Sequence, residues 1–194
     1  MNMDMTTTPI HRLLLKLSPP VMLALLIQSV YNIVDSFFVA RYSSEGLTAL
    51  SIVYPIQLLM TALATGTGAG VNLLISRMDG QGEKKKQSDI VTCGMILAVF
   101  HFLLFGILGV LLSGCYFRLS SENELVCAQG VVYANIIFAG SLGISVESIC
   151  TKILQARGNM ALPMAAQIVG AVTNIILDPV LIFGLFGAPR LGIA

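Results

Sequence analysis

The sequence predicts an all-α, polytopic membrane protein, and three observations carry that prediction. The first is composition. Of 194 residues, 56% are hydrophobic and only 11% are Asp, Glu, Lys or Arg, against about 25% charge in an ordinary soluble domain. Mean hydropathy is +0.85. A soluble core of this length cannot hide so much apolar surface, so lipid is the solvent. The second is segment length. Five mainly apolar stretches, 19–40, 47–76, 90–112, 125–151 and 161–186, each reach the roughly 20 residues needed to cross a hydrocarbon core of about 30 Å. The third is spacing. Short turn- and charge-rich segments bound them (RYSSEG, RMDGQGEKKKQSD, RLSSENE, KILQARGN and GAPR), leaving no room for an inserted soluble domain. Backbone groups in lipid must pair within their own segment, so the spans are helices. The ten-residue alternation of a membrane barrel is absent. The same numbers argue against a disordered chain, a basic nucleic-acid binder and a disulfide-stapled module. A net charge of +1 points to no partner by itself.

Residues 1–18 are polar, with Arg12 and Lys16, and read as a cytoplasmic N-terminal segment. Within it the stretch 11–17, HRLLLKL, suits a short helix lying at the membrane surface. The apolar run that follows continues through Phe38 without an early small-residue cleavage site, which predicts an uncleaved first span. Pro19-Pro20 is expected to open that span, where a missing N–H is tolerated. Gln28, Asn32 and Asp35 then fall at i, i+4 and i+7, on one helix face.

The second span holds Pro55 and the run Thr65-Gly-Thr-Gly-Ala-Gly70. That run lacks the strand context and the following Lys-Ser/Thr of a phosphate loop, so close packing between helices is the expected role. The third span holds His101, with no acidic neighbour in sequence, and a neutral, hydrogen-bonded imidazole is expected. The fourth holds Glu147, five residues before Lys152. It is expected to snorkel to water or pair with Lys152, a gating or cavity role being the alternative. The fifth places Gln167, Asn174 and Asp178 along one stripe, with Pro179 next to the last of them. Pro55 and Pro179 should bend their helices or free a carbonyl.

Orientation follows from the cations. Eight Lys and Arg lie in the N-terminus and the second and fourth loops, against three (Arg41, Arg118, Arg190) on the opposite side. The positive-inside rule places the N-terminus in the cytoplasm and makes the chain a multi-pass protein of the cell membrane. The Lys84–Lys86 run is read as a topology signal that also meets lipid headgroups.

Asp35 and Asp178 are the intramembrane charges of greatest weight. Asp35 lies 15 residues after Pro20 and Asp178 lies 15 after Pro163, on two helices that run in the same direction. Both carboxylates are therefore expected at one depth, in the outer half of the membrane. A carboxylate in a low-dielectric site can hold a proton at neutral pH. The same oxygens with Asn carbonyls make a hard-ligand cage for a small cation such as Na⁺. The plainer alternative is that each Asp bonds its neighbouring Asn and holds helices together.

Other chemistry is thinly represented. Cys93, Cys115, Cys127 and Cys150 show no CxxC spacing. They read as free thiols, although Cys115 and Cys127 flank one loop where a disulfide is conceivable. HExxH and GxSxG are absent, only two histidines are present, and no enzyme or cofactor is expected.

Several stretches together resemble the prokaryotic multidrug and toxic compound extrusion (MATE) family. They are Gln28-Ser-Val-Tyr-Asn-Ile-Val-Asp-Ser-Phe-Phe-Val39, the Gly66–Gly70 run with Ile75-Ser-Arg77 and Gly80-Gln-Gly-Glu83, and Arg157-Gly-Asn159 before Pro163 with NIILDPVLIFG at 174–184. The likeness covers most of residues 10–194. It implies a Na⁺- or H⁺-coupled antiporter that exports amphipathic, often cationic drugs by alternating access. Such proteins have two six-helix lobes. The resemblance assigns Asp35, Asp178 and Asn174 to a cation site; the polar stripes of the first and fifth spans add Gln28, Asn32 and Gln167 as expected cavity lining. It also implies that 19–194 is a partial N-terminal lobe, cut after the fifth of six helices, whose partner is a missing C-terminal lobe. The alternatives are a lipid-linked oligosaccharide flippase of the same superfamily and a non-transporting membrane subunit. The absence of Lys and Arg from the spans counts against the flippase.

Overall fold

A computed structural model describes residues 9–187 and residue 192. Five long helices follow one another: α1 (Ile10–Tyr42), α2 (Ser44–Gly80), α3 (Lys84–Ser120), α4 (Glu124–Ala156) and α5 (Ala161–Phe183), then a short 3-10 turn, Leu185–Gly187. All five are long and apolar enough to cross a membrane.

Four of the five helices, α1 to α4, outrun the expected spans. α3 has 37 residues, about 55 Å of rise, well beyond the hydrocarbon core. Helix propensity continues through charged ends that lipid does not require. The same extension corrects the N-terminal expectation. α1 begins at Ile10 and runs unbroken through 11–17 into the span, so that stretch is not a separate helix. Pro19 and Pro20 lie inside α1 and do not open it. Residues 1–8, Arg190 and Ala194 fall outside the described residues. α5 starts at Ala161 as expected but ends three residues early. Gly184 adopts φ 70°, the left-handed geometry that glycine tolerates, and its N–H closes the helix on the Val180 carbonyl.

Short capping devices make the turns. Ser43 is extended and its hydroxyl accepts the Gly46 N–H at 3.0 Å. Asn123 Oδ1 accepts from Leu125 N and Val126 N. Asn159 Oδ1 accepts from Leu162 N. Gln87 Nε2 donates to Asp79 Oδ1 at 2.9 Å and staples the start of α3 to the end of α2.

The helices pack as a three-helix core plus a pair. α2, α3 and α4 pack on one another extensively, and α1 packs mainly on α5. The pair meets the core through sparser α1–α2 and α4–α5 contacts. Two apolar clusters fill the core, one around Val53, Phe105, Phe117 and Phe138 and one around Val71, Ile75, Ala98 and Ile149. Glycines allow the approach. The space of a side chain at Gly109 is taken by the Phe138 ring, and that at Gly130 by the Phe117 ring. Within the Gly66–Gly70 run only Gly68 packs closely. A Cβ there would lie 2.9 Å from Lys152 Cγ and 3.1 Å from Ser148 Oγ, whereas Gly66 and Gly70 have nothing within 4 Å.

Polar bonds add to the packing. Ser148 Oγ donates to the Ala64 carbonyl at 3.1 Å, Asn72 Nδ2 to the Lys152 carbonyl at 2.8 Å, and the Tyr116 hydroxyl to the Ile52 carbonyl at 2.8 Å. His101 is buried on α3, but its Nδ1 has no hydrogen-bond partner, contrary to the expected bonded imidazole. All four cysteines are free, and Cys127 Sγ donates to the Phe117 and Ser121 carbonyls.

Candidate functional site

The sparse contact between the α1–α5 pair and the α2–α4 core leaves a cleft. Its wider part is a cavity of about 560 Å³ lined by Gln28 and Tyr31 of α1, Gln57 and Thr61 of α2, Glu147 of α4, and Gln167 and Asn174 of α5, with Met60, Ile137 and Ile144 as apolar walls. A narrower cavity of about 250 Å³ continues from it past Thr151, Lys152 and Gln155. Gln28, Thr61, Ile144, Glu147 and Gln167 border both.

Asp35 and Asp178 sit beyond one end of this cleft, where α1 and α5 are locked together by aromatic rings. Phe183 meets Phe38 edge-on at 6.4 Å between centroids and meets Tyr42 at the same separation. That contact fixes α1 against α5 near the helix ends that carry the two carboxylates. Asp35 and Asp178 are both half-buried and close enough to repel when both are charged. The phenols of Tyr31 and Tyr133 lie within the field of both. Asp178 Oδ2 is buried with no hydrogen-bond partner, so that oxygen makes no bond to Asn174. An orphaned carboxylate oxygen in a buried site is costly unless it meets a proton, a cation or a donor.

The other expected site residues divide. Gln28, Gln167 and Asn174 line the wide cavity. Asn32 is exposed on α1 and borders neither part of the cleft. Glu147 borders both parts, and its pairing with Lys152 is not seen. Glu147 Oε1 accepts from the Thr151 hydroxyl at 2.9 Å, while Lys152 Nζ donates to Gln155 Oε1 at 3.1 Å. One helical turn of α4 gives each group a nearer polar partner than the other.

Sequence reasoning missed Gln57, Thr61, Tyr31 and Tyr133. Gln57 carried a usable signal, being an uncapped amide two residues after Pro55 inside a span. Tyr31 follows Gln28 at i+3, on the same face. Tyr133 carried none, since a lone tyrosine in an apolar helix looks like packing.

The family model described as MatE matches residues 20–180. A protein of Shewanella oneidensis described as "FAD transporter" is 27% identical over 187 residues, covering 96% of this chain and 41% of that one. "Probable multidrug resistance protein YoeA" of Bacillus subtilis is 28% identical over 175 residues, covering 90% of this chain and 38% of its own length. Among solved structures, an outward-facing multidrug resistance MATE family transporter of the MOP superfamily superposes with a TM-score of 0.85 at 26% identity, over 93% of this chain and 39% of that one. A MOP superfamily transporter from Pyrococcus furiosus, described as having a binding pocket of reverse polarity, gives the same score and identity. The chain thus spans about two fifths of the length of these relatives. The fold, the five apolar helices and a family match over most of the sequence agree: this chain belongs to the MatE family of multi-pass membrane transporters.

Proposed function

We propose that this chain forms the N-terminal lobe of a Na⁺- or H⁺-coupled antiporter that exports amphipathic, often cationic compounds across the cell membrane, with the N-terminus in the cytoplasm. The observation that carries the reading is the pair Asp35 and Asp178 on the packed helices α1 and α5, with Asp178 Oδ2 buried without a partner. Such a pair holds a proton or a small cation in one state and releases it in another, which biases a conformational equilibrium. Asn174 stands one turn from Asp178 on the cleft side, where its amide oxygen adds a neutral ligand. Movement of the α1–α5 pair against the core then links cation occupancy to the cleft.

The wide cavity disfavours a phosphate-bearing cargo, because its one charged lining residue is the carboxylate Glu147. A dinucleotide cargo, suggested by the name of the Shewanella relative, is therefore the rival outcome. The test uses the complete gene product in a drug-sensitive bacterial host. Asp35→Asn and Asp178→Asn each abolish resistance to a cationic dye while membrane expression persists. Wild-type resistance in both variants removes the reading. Flavin dinucleotide efflux without dye efflux replaces the cargo.

A further inference from the structure

Glu147 occupies the junction of the wide and narrow parts of the cleft. It is exposed towards that space, and one oxygen takes the Thr151 hydroxyl. The nearest cation in sequence, Lys152, borders the narrow part of the cleft but makes no ion pair with Glu147. Lys152 lays its stem against Gly68 and gives its Nζ to Gln155. Among the described residues the one ion pair is Lys86 with Glu83, far from the cleft. The wide part of the cleft thus holds Glu147 as its one charge, and the cation lining the narrow part, Lys152, is engaged by Gln155. Neutral amides of Gln28, Gln57 and Gln167 line the same wide cavity, with Met60 and Ile144 as apolar wall. Amides solvate a carboxylate but do not neutralise it, and a lone charge facing a low-dielectric space is costly.

We propose that Glu147 is the counter-ion for an organic monocation bound in the cleft, at a site separate from the Asp35–Asp178 pair. The separation follows from helix rise. Gln28 precedes Asp35 by seven residues and Gln167 precedes Asp178 by eleven, which is about 10 Å and 16 Å along the helices. A cation beside Glu147 is therefore not the one held by the aspartates. The cavity of about 560 Å³ falls in the range of drug-sized sites, mostly apolar with a few polar groups. That chemistry selects a bulky apolar body carrying one positive charge. The inference rests on the export reading above and names the group that recognises its cargo.

The experiment measures equilibrium binding of tetraphenylphosphonium and of its neutral analogue triphenylphosphine oxide to the purified complete gene product in detergent. Glu147→Gln weakens tetraphenylphosphonium binding at least tenfold and leaves the neutral analogue unchanged, while Glu147→Asp restores most of the loss. A second measurement needs only the wild-type protein. Carbodiimide modifies Glu147, read by peptide mass spectrometry, and tetraphenylphosphonium protects it where triphenylphosphine oxide does not. Unchanged cation binding in Glu147→Gln, equal loss of both ligands, or absence of protection each overturns the assignment. A wild-type protein that binds both probes while Glu147→Gln changes neither removes this inference and leaves the export reading standing. A wild-type protein that binds neither probe removes both.

Discussion

A single hydrogen-to-methyl change shows how tightly the core is cut. Gly130 faces the ring of Phe117, which is fully buried. Gly140, ten residues along the same helix, has open space where a Cβ would stand. Gly130→Ala forces the ring from its place, an overpacking cost of about 1–3 kcal/mol. Gly140→Ala meets nothing and gains helix propensity of up to about 1 kcal/mol. Thermal unfolding in detergent should show a lowered Tm for the first and an unchanged or raised Tm for the second. Equal shifts would mean that the Gly130–Phe117 contact is not formed. The residues that lipid penalises were legible in the sequence, because a charge in an apolar run stands out whatever surrounds it. That is how Asp35, Asp178 and Glu147 were found. Glu147's partner was legible in the spacing, since Thr151 at i+4 shares its face of α4 whereas Lys152 at i+5 is turned about 140° round the helix; charge complementarity pointed to the lysine instead.

At the level of one helix, Pro55 is the informative break. Proline gives no N–H to the carbonyl four residues earlier, and its ring crowds that turn. The adjacent Ile52 carbonyl receives the Tyr116 hydroxyl from α3 at 2.8 Å. The carbonyl that Pro55 leaves unpaired is that of Ser51, so the tyrosine braces the weakened turn one residue along rather than replacing the lost bond. Tyr116→Phe should cost about 0.6–2 kcal/mol, the range of interhelical bonds in membranes. In a Pro55→Ala background the same change should cost less, since the N–H restored at position 55 bonds the Ser51 carbonyl and firms the turn that Tyr116 braces. A double-mutant cycle on Tm reads the coupling, and strict additivity would show that the bond and the proline are unrelated. Helix number and approximate position were readable from composition alone. Helix ends were not, because lipid sets the minimum length of a span while propensity and caps set where it stops. Residues 10–18 and Pro19-Pro20 show this, being helical where hydropathy alone drew a boundary.

For the molecule as a whole, the expected orientation makes a direct prediction. In a cysteine-free background, Ser121→Cys in the α3–α4 turn should react with a membrane-impermeant maleimide in intact cells. Gly82→Cys in the α2–α3 turn should react only after permeabilisation. The opposite pattern would invert the protein and move Asp35 and Asp178 to the cytoplasmic half. The grouping of α1 with α5 and of α2 with α3 and α4 was not legible. In lipid every helix is apolar all round, so the sequence does not mark which face meets a neighbour and which meets acyl chains. The polar stripes of α1 and α5 were a partial exception: Gln28, Gln167 and Asn174 line the cleft, while Asn32 is exposed outside it.

The thin contact between α4 and α5 carries a further consequence. A seam with little direct adhesion between its walls is held partly by whatever occupies it. An occupant that touches both walls behaves as mortar, and its concentration becomes a stability variable. At 100 times its dissociation constant a ligand adds about 2.7 kcal/mol to the state that binds it. The resting stability of this lobe is therefore a property of its contents as much as of its sequence, and the emptied cleft marks the softest line in the fold.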